Sequence, residues 1–316
     1  MASVRRSSSL TKFNVRTRTG IITPRQIFER KMSKHPPFED VEASRPDFDV
    51  DFKHVVTKVP LPGFKPGGGL NNNLPYAKDF EANVGKFITF SAEERKPADI
   101  YKLLISSATP RCISFNSTLD ENGIGNLAPM SYFNVVSHDP PTIMISVQAG
   151  KKHSDGLKDT NHNIKTTKEF AVSIISEPFL EASNYTAIDA PSDIDEWKLS
   201  GLTKRKSETI KPPHVAESPV SMECELMHWY DIIGASGETS NTVILGRVKK
   251  FHIKEFVLDP ADPMKVLVEK LRPMSRLGGI SYGRTTQTME VPRPVWEKVK
   301  DTPEVQAALA AEEKWA

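Results

Sequence analysis

Three short stretches of this chain carry residue types that could do chemistry together. The first is Lys158-Asp159-Thr160, a lysine, a carboxylate and a hydroxyl at the head of a polar, helix-like segment. At a helix start the first N–H groups have no partner within the helix, and the peptide dipoles leave that end positive. With a lysine and a hydroxyl beside them, such groups suit a phosphate dianion. The competing reading is an ordinary helix capped by Asp159 or Thr160. The second stretch sets Asn126, Ala128, Pro129 and Ser131 beside Tyr132 and Phe133. Small residues let backbone approach a ligand, amides and Ser131 suit the edge of a planar heterocycle, and an aromatic can cover its face. Taken alone, it also fits a turn between core strands. The third holds the cation Arg276, the pair Gly278-Gly279 and the phenol Tyr282, with a plain surface loop as its alternative.

Stronger signatures are absent. No GxGxxG follows a strand, and Gly123-Ile124-Gly125 is only a turn fragment, which argues against a Rossmann dinucleotide site. Ser236 sits in Gly-Ala-Ser-Gly-Glu rather than a GxSxG elbow, so serine hydrolysis has no anchor. There is no HExxH, and Glu225 and His228, three apart on an expected strand, fall on opposite faces. The eight histidines are scattered and read as surface or structural. Cys112 and Cys224 match no CxxC pattern and read as reduced thiols.

The elements that must position these stretches are mostly strands. Residues 113–147 hold two apolar runs around the turn-rich centre Asp120-Glu121-Asn122-Gly123, then a third run after Pro140-Pro141. Turn chemistry between apolar runs predicts successive antiparallel strands. Further strands are predicted over residues 86–90, 101–107, 170–175, 220–229 and 242–258. Along residues 220–229, Met222, Cys224 and His228 share one face, and Glu223, Glu225 and Trp229 the other. Gly246 is the expected kink or bulge. Helices are expected over residues 154–169 and 177–188, with a short one opened by Asp193-Ile194-Asp195-Glu196-Trp197, whose acids favour a helix start. This pattern predicts a mainly antiparallel β barrel with α additions.

Length and composition set outer bounds. At 316 residues with 38% hydrophobic content and 24 prolines, part of the chain is loop or tail. A formal net charge of +2 argues against a nucleic-acid platform. No apolar run approaches the roughly 18 residues needed to span a bilayer, so no membrane partner is expected. Arg5, Arg6, Lys12, Arg16, Arg18 and Arg25 precede the first acid, Glu29, among serines and threonines. That is the composition of a mitochondrial transit peptide. The alternative is a basic tail on a cytoplasmic protein, with Met32 as a second start. Residues 1–80 are expected to form this leader and an extended Pro/Gly-rich segment, 81–294 the folded domain, and 295–316 an exposed C-terminal helix.

Several blocks, in order, resemble one family. They are Asn126-Leu127-Ala128-Pro129-Met130-Ser131-Tyr132-Phe133, Asp139-Pro140-Pro141, Lys158-Asp159-Thr160 with Asn163-Ile164, and Glu169-Phe170-Ala171-Val172. Asp195-Glu196-Trp197, Gly201-Leu202-Thr203 and Arg276-Leu277-Gly278-Gly279 with Tyr282 continue the series. Together they are similar to the flavin reductase-like family of FMN-binding split barrels, which includes the reductase component of nitrilotriacetate monooxygenase and the flavoredoxins. The resemblance spans residues 100–294. It implies a six-stranded antiparallel split barrel of Greek-key type, usually a homodimer, with FMN near the subunit interface. By position, Asn126, Ala128, Pro129, Ser131, Tyr132 and Phe133 would line the ring and ribityl chain. Lys158, Asp159 and Thr160 would form the phosphate end. Lys198, Arg276 and Tyr282, with Trp197 and His228 as weaker candidates, would complete the pocket. NAD(P)H would be the reducing co-substrate, and Arg276 or Lys198 would steady the reduced anion. Rival readings are an FMN carrier without turnover and an FMN-dependent oxygenase of a small organic substrate.

Overall fold

The computed structural model describes residues 37–314. The basic leader lies outside them, and with it the expectations of a transit peptide and of a start at Met32. The chain divides between Phe52 and Lys53 into two units. Within the first, the described residues hold one short helix, α1 (Phe38–Glu42), with the Arg45 guanidinium 5.8 Å from the Phe38 ring. All that follows concerns the second unit.

That unit opens with β1 (Val55–Thr57) and α2 (Ala77–Ala82). No strand forms over residues 86–90, where Phe87 and Ile88 are 84% and 83% exposed and find no neighbouring strand to pair with. The strand expected over residues 101–107 is instead part of a helix, α3 (Pro97–Ser107). A short apolar run does not separate strand from helix, and the deciding signals lie upstream: Pro97 in the first turn and Asp99 behind it.

The turn-rich centre produces the hairpin β2 (Ser114–Leu119) and β3 (Gly125–Met130). Asp120 closes it, accepting backbone N–H bonds from Asn122 at 2.9 Å and Ile124 at 2.6 Å, while Gly123 takes φ +84°. Then come β4 (Phe133–His138) and β5 (Pro141–Gln148), α4 (Asp159–Thr167) and β6 (Glu169–Ile174). After β6 a 3-10 turn leads into α5 (Leu180–Tyr185), and α6 (Glu196–Ser200) follows, its N-terminus capped by the Asp195 carboxylate on Trp197 N–H. A small hairpin, β7 (Lys204–Arg205) with β8 (His214–Val215), precedes the two long strands β9 (Val220–Ile233) and β10 (Thr239–Ile253).

Seven strands form one antiparallel sheet in the order β3-β2-β6-β9-β10-β5-β4. The expectation of a mainly β, antiparallel architecture with added helices holds, with seven ladder-connected strands where six were expected. β3 and β4 stand at opposite ends of that order, yet only Ser131 and Tyr132 separate them in sequence. A flat sheet would put its first and last strands roughly 29 Å apart at about 4.8 Å per strand, while three Cα–Cα steps reach at most about 11 Å. The sheet is therefore rolled, and no ladder closes it.

Inside the roll pack Ile143, Ile145, Val147, Ile164, Phe170, Val172, Met222, Cys224, Ile244 and Val248. Gly246 marks a register shift opposite β9, as expected of it, and the Phe170 ring lies against its Cα. A second cluster, including Phe115, Leu127, Phe179, Trp197 and Val215, lies among β2, β3 and the helical segments.

The other face of β9 departs from the alternation expected of it. Ser221 and Glu223 are buried as fully as Met222 and Cys224, because residues 207–215 cover them. Glu223 accepts N–H bonds from Glu208 and Thr209, each at 2.7 Å, and the Thr209 hydroxyl, while His252 Nε2 lies 2.6 Å away. Burial alone would raise the Glu223 carboxyl, but these bonds prevail and hold it at about 2. His214 stacks on His252 at 4.4 Å, and burial, then the neighbouring His252, pushes it down to about 4.

Past β10 the chain forms β11 (Leu258–Asp259) with β12 (Asp262–Val266), then α7 (Val268–Leu271), and the hairpin β13 (Met274–Arg276) with β14 (Tyr282–Arg284). β15 (Gln287–Met289) pairs in parallel with β1, joining part of the Pro/Gly-rich stretch to the domain. The C-terminal segment is broken into α8 (Trp296–Val299) and α9 (Pro303–Ala310). Among the described residues no helix is long and apolar enough to cross a membrane.

Candidate functional site

A cavity of about 330 Å³ lies along β3, bounded by α3, the start of α4, residues 186–189 and the β13–β14 hairpin. Its two ends differ. At one, Asn126 Nδ2 donates to Thr160 Oγ1 at 3.1 Å and to Thr118 Oγ1 at 2.9 Å. At the other stands Ser131, five residues further along. At about 3.3 Å per residue the ends are roughly 16 Å apart.

The first end is the N-terminus of α4. The first bond within the helix runs from His162 N–H to Lys158 O, leaving the amides of Asp159, Thr160 and Asn161 without an intrahelical partner. The N-cap residue is Lys158, with no side-chain cap bond, so the expectation that Asp159 or Thr160 caps this helix is not met. Both side chains are engaged elsewhere. Thr160 accepts from Asn126, and the Asp159 carboxylate lies 2.9 Å from both Lys152 Nζ and His153 Nε2. Burial would raise the Asp159 carboxyl, but hydrogen bonds from Ser192, Lys152 and His153 outweigh it and hold it below the usual range. Glu196, buried beside them, accepts from Leu127 N–H at 3.3 Å. Burial pushes its carboxyl up, and the Asp159 charge adds to the rise.

Between the ends runs the free side of β3, which pairs only with β2. Leu127 points its N–H away from β2, toward Glu196, so Pro129, two residues on, faces the same way. Its missing N–H falls on the unpaired edge and costs the ladder nothing.

Arg111 organises the second end. Its Nη1 donates to the carbonyls of Ile105 and Ala108, both at 2.7 Å, and Nη2 to Leu277 O at 3.0 Å. Its Nε reaches Ser131 Oγ at 3.4 Å. One guanidinium thus ties the end of α3, the hairpin loop and the β3–β4 link into a single wall. Arg111 and Arg276 also exchange backbone hydrogen bonds at 3.0 and 2.9 Å.

The model of the family described as "Flavin reductase like domain" matches residues 106–266, half of the chain. The chain belongs to the flavin reductase-like family. It is 36% identical over 193 residues to an Aquifex aeolicus protein, covering 61% of this chain and 93% of that one. Among solved structures it is similar to nitrilotriacetate monooxygenase component B from Bacillus cereus, at 34% identity and a TM-score of 0.61, covering 65% of this chain and 98% of that one. It is also similar to the Pseudomonas fluorescens 2-nitrobenzoate 2-nitroreductase NbaA, at 27% identity and a TM-score of 0.58, with 66% and 98% covered.

In this flavin reductase-like chain, nine of the residues singled out from sequence line the cavity: Asn126, Ala128, Pro129, Ser131, Tyr132, Lys158, Asp159, Thr160 and Arg276. Three lie off its wall. Phe133 packs against the core inside the roll. Lys198 is exposed on α6. Tyr282 directs its hydroxyl to Asn184 Oδ1 at 2.7 Å while its ring lies under the Arg276 guanidinium. The two weaker candidates are also elsewhere, Trp197 in the second core cluster and His228 exposed on β9. Gly278 serves packing of another kind than a ligand's approach, since a Cβ there would stand 3.3 Å from Ser106 Cβ on α3. Sequence reasoning passed over Arg111, Lys152, Tyr101 and the cavity-facing role of Glu196. Only Glu196 had a signal, as part of the Asp195-Glu196-Trp197 block.

The residues present suit a flavin mononucleotide. Three amides with no intrahelical partner, Lys158 and the Thr160 hydroxyl, beside the paired Lys152 and Asp159, form one end, and a strand edge outside any ladder leads to a second end holding a phenol and two guanidinium groups. Among the described residues no group of three or more His, Cys, Asp or Glu is placed to hold a metal ion.

Proposed function

We propose that this protein is an FMN-binding oxidoreductase reduced by NAD(P)H. The observation that carries the reading is the two-ended cavity, with a helix N-terminus and Lys158 at one end and an unpaired strand edge beside Tyr132 at the other. Bound there, the flavin would supply hydride and electron transfer. The chain's own groups bind, orient and exclude water. The α4 amides, Lys158 and Thr160 would hold the phosphate, with Lys152 beside them offsetting the Asp159 carboxylate. The β3 edge, Ser131 and Tyr132 would face the ring, and Arg276 would favour a reduced, anionic one.

The rolled seven-stranded sheet supports a split barrel. The similar solved structures support reductase chemistry: one is a component of a monooxygenase and another a nitroreductase. A carrier without turnover is the second reading, since a fold alone does not fix turnover. Purified protein mixed with FMN should take up the flavin, and NADH or NADPH should bleach it anaerobically; a flavin that binds but resists both would favour the carrier.

Exposed apolar residues on β4 (Val135, Val136) and on the β9–β10 hairpin (Tyr230, Ile233) support a homodimer, to be tested by light scattering of the eluted protein. The Arg- and Ser-rich leader supports a mitochondrial address, testable by organelle fractionation and by sequencing the mature N-terminus.

A further inference from the structure

We propose that Tyr101 on α3 selects the second substrate, holding a flat ring at the mouth of the cavity. The inference rests on the flavin reading above. Tyr101 lines the cavity and yet is 56% exposed, so its ring stands at the rim with one part turned inward and one part to solvent. It lies one helical turn before Ile105, which also lines the cavity and is buried. Residues four apart share a helix face, so Ile105 seats the helix while Tyr101 overhangs the opening.

The position of that helix is fixed. Arg111 holds the Ile105 and Ala108 carbonyls at its C-terminal end, and Gly278 lets the hairpin loop come up against Ser106. Behind the rim stands Tyr132, whose phenol is pushed up by burial and then by the proximity of Tyr101. Two phenols thus stand at the same mouth, one inner and one outer. Tyr101 also precedes the residues matched by the family model, so this rim is supplied from outside that match. A half-exposed aromatic face at the entrance of a cavity suits a flat ring that can lie against it. Both the dihydronicotinamide of the donor and a nitroaromatic acceptor present such a ring, and the experiment separates them.

The test uses the full-length protein and its Tyr101→Ala and Tyr101→Phe variants. FMN affinity is read first by quenching of flavin fluorescence. Steady-state kinetics then follow with NADH against oxygen, and with 2-nitrobenzoate as acceptor at saturating NADH. FMN affinity is expected to stay within about twofold. Tyr101→Ala should raise KM for at least one of the two flat-ring substrates about 3- to 10-fold, the contribution of one ring contact, with kcat little changed. Tyr101→Phe, which keeps the ring, should restore the wild-type KM. A rise for NADH assigns the rim to the donor, and a rise for 2-nitrobenzoate alone assigns it to the acceptor. Unchanged KM for both would overturn the proposal, as would FMN binding weakened in step with them. Wild-type protein that takes up no FMN would instead overturn the flavin reading itself.

Discussion

Replacing Arg111 with alanine should loosen the second end of the cavity and the fold together. The guanidinium makes three bonds of 3.0 Å or shorter to carbonyl oxygens of residues 105, 108 and 277, and a longer one to Ser131 Oγ. A hydrogen bond from a charged donor contributes about 1.5–3 kcal/mol net, toward the lower figure where solvent can replace it. The Ala108 oxygen is exposed and recovers water, while those of Ile105 and Leu277 are partly enclosed. Counting two bonds lost in full gives about 3–6 kcal/mol, a large share of a typical domain's roughly 5–15 kcal/mol. With a urea slope near 3 kcal/mol/M for a chain of this size, the midpoint should fall by about 1–2 M. Arg111→Lys keeps the charge but not the fork, and should lose about half as much. FMN binding, measured in native buffer, should weaken in both variants, because α3, the hairpin loop and Ser131 lose their common tie. A midpoint shift below about 0.3 M for the alanine variant, with FMN affinity intact, would refute this role.

Three other outcomes are expected. Thr160→Val combined with Lys158→Ala should weaken FMN binding at least tenfold while costing folding only about 1 kcal/mol, since Asn126 keeps its bond to Thr118; equal losses in a binding and an unfolding assay would return these residues to a structural role. Gly246→Ala should destabilise by about 1–3 kcal/mol in urea unfolding, because the new Cβ would run into the fully buried Phe170 ring; a neutral result would mean the ring can move aside. Stability should fall on acidification from about pH 6.5. His214 ordinarily titrates at 6.5 but at about 4 in the fold, so the unfolded chain takes up the proton first and its neutral-His stabilisation drains away across that interval. Glu223, at about 2 against an ordinary 4.5, adds a second loss below pH 4.5. Urea midpoints at pH 7, 5.5 and 4.5 should decline, and His214→Phe should flatten the decline; equal midpoints would contradict the buried neutral histidine.

Much of the fold was legible because its signals are local. Asp120 through Gly123 announce a hairpin, Gly246 a bulge, and Asp195 a helix cap, each through chemistry confined to a few residues. The stretch around Ser131-Tyr132 was legible only as a turn between strands; what it does, linking opposite edges of a rolled sheet, depends on five other strands. The cover over Glu223 was hidden for the same reason: alternation reports the faces of a strand, not what a loop 14 residues away lays on them.

The candidate site divides the same way. Residues 126–132 and 158–160 stood out because runs of contiguous residues converge there. Arg111 works through carbonyl oxygens up to 166 positions away, a partnership that its own neighbourhood in sequence does not betray. Phe133 and Tyr282 shared blocks with cavity residues, but a strand turns alternate side chains away, sending Phe133 to the core, and Tyr282 found Asn184.

The most direct test of the account is an anaerobic titration of the purified protein, reconstituted with FMN, by NADH and by NADPH. The account predicts a yellow complex whose visible flavin absorbance is lost stoichiometrically with one of the two. A protein that retains no FMN after gel filtration would contradict it.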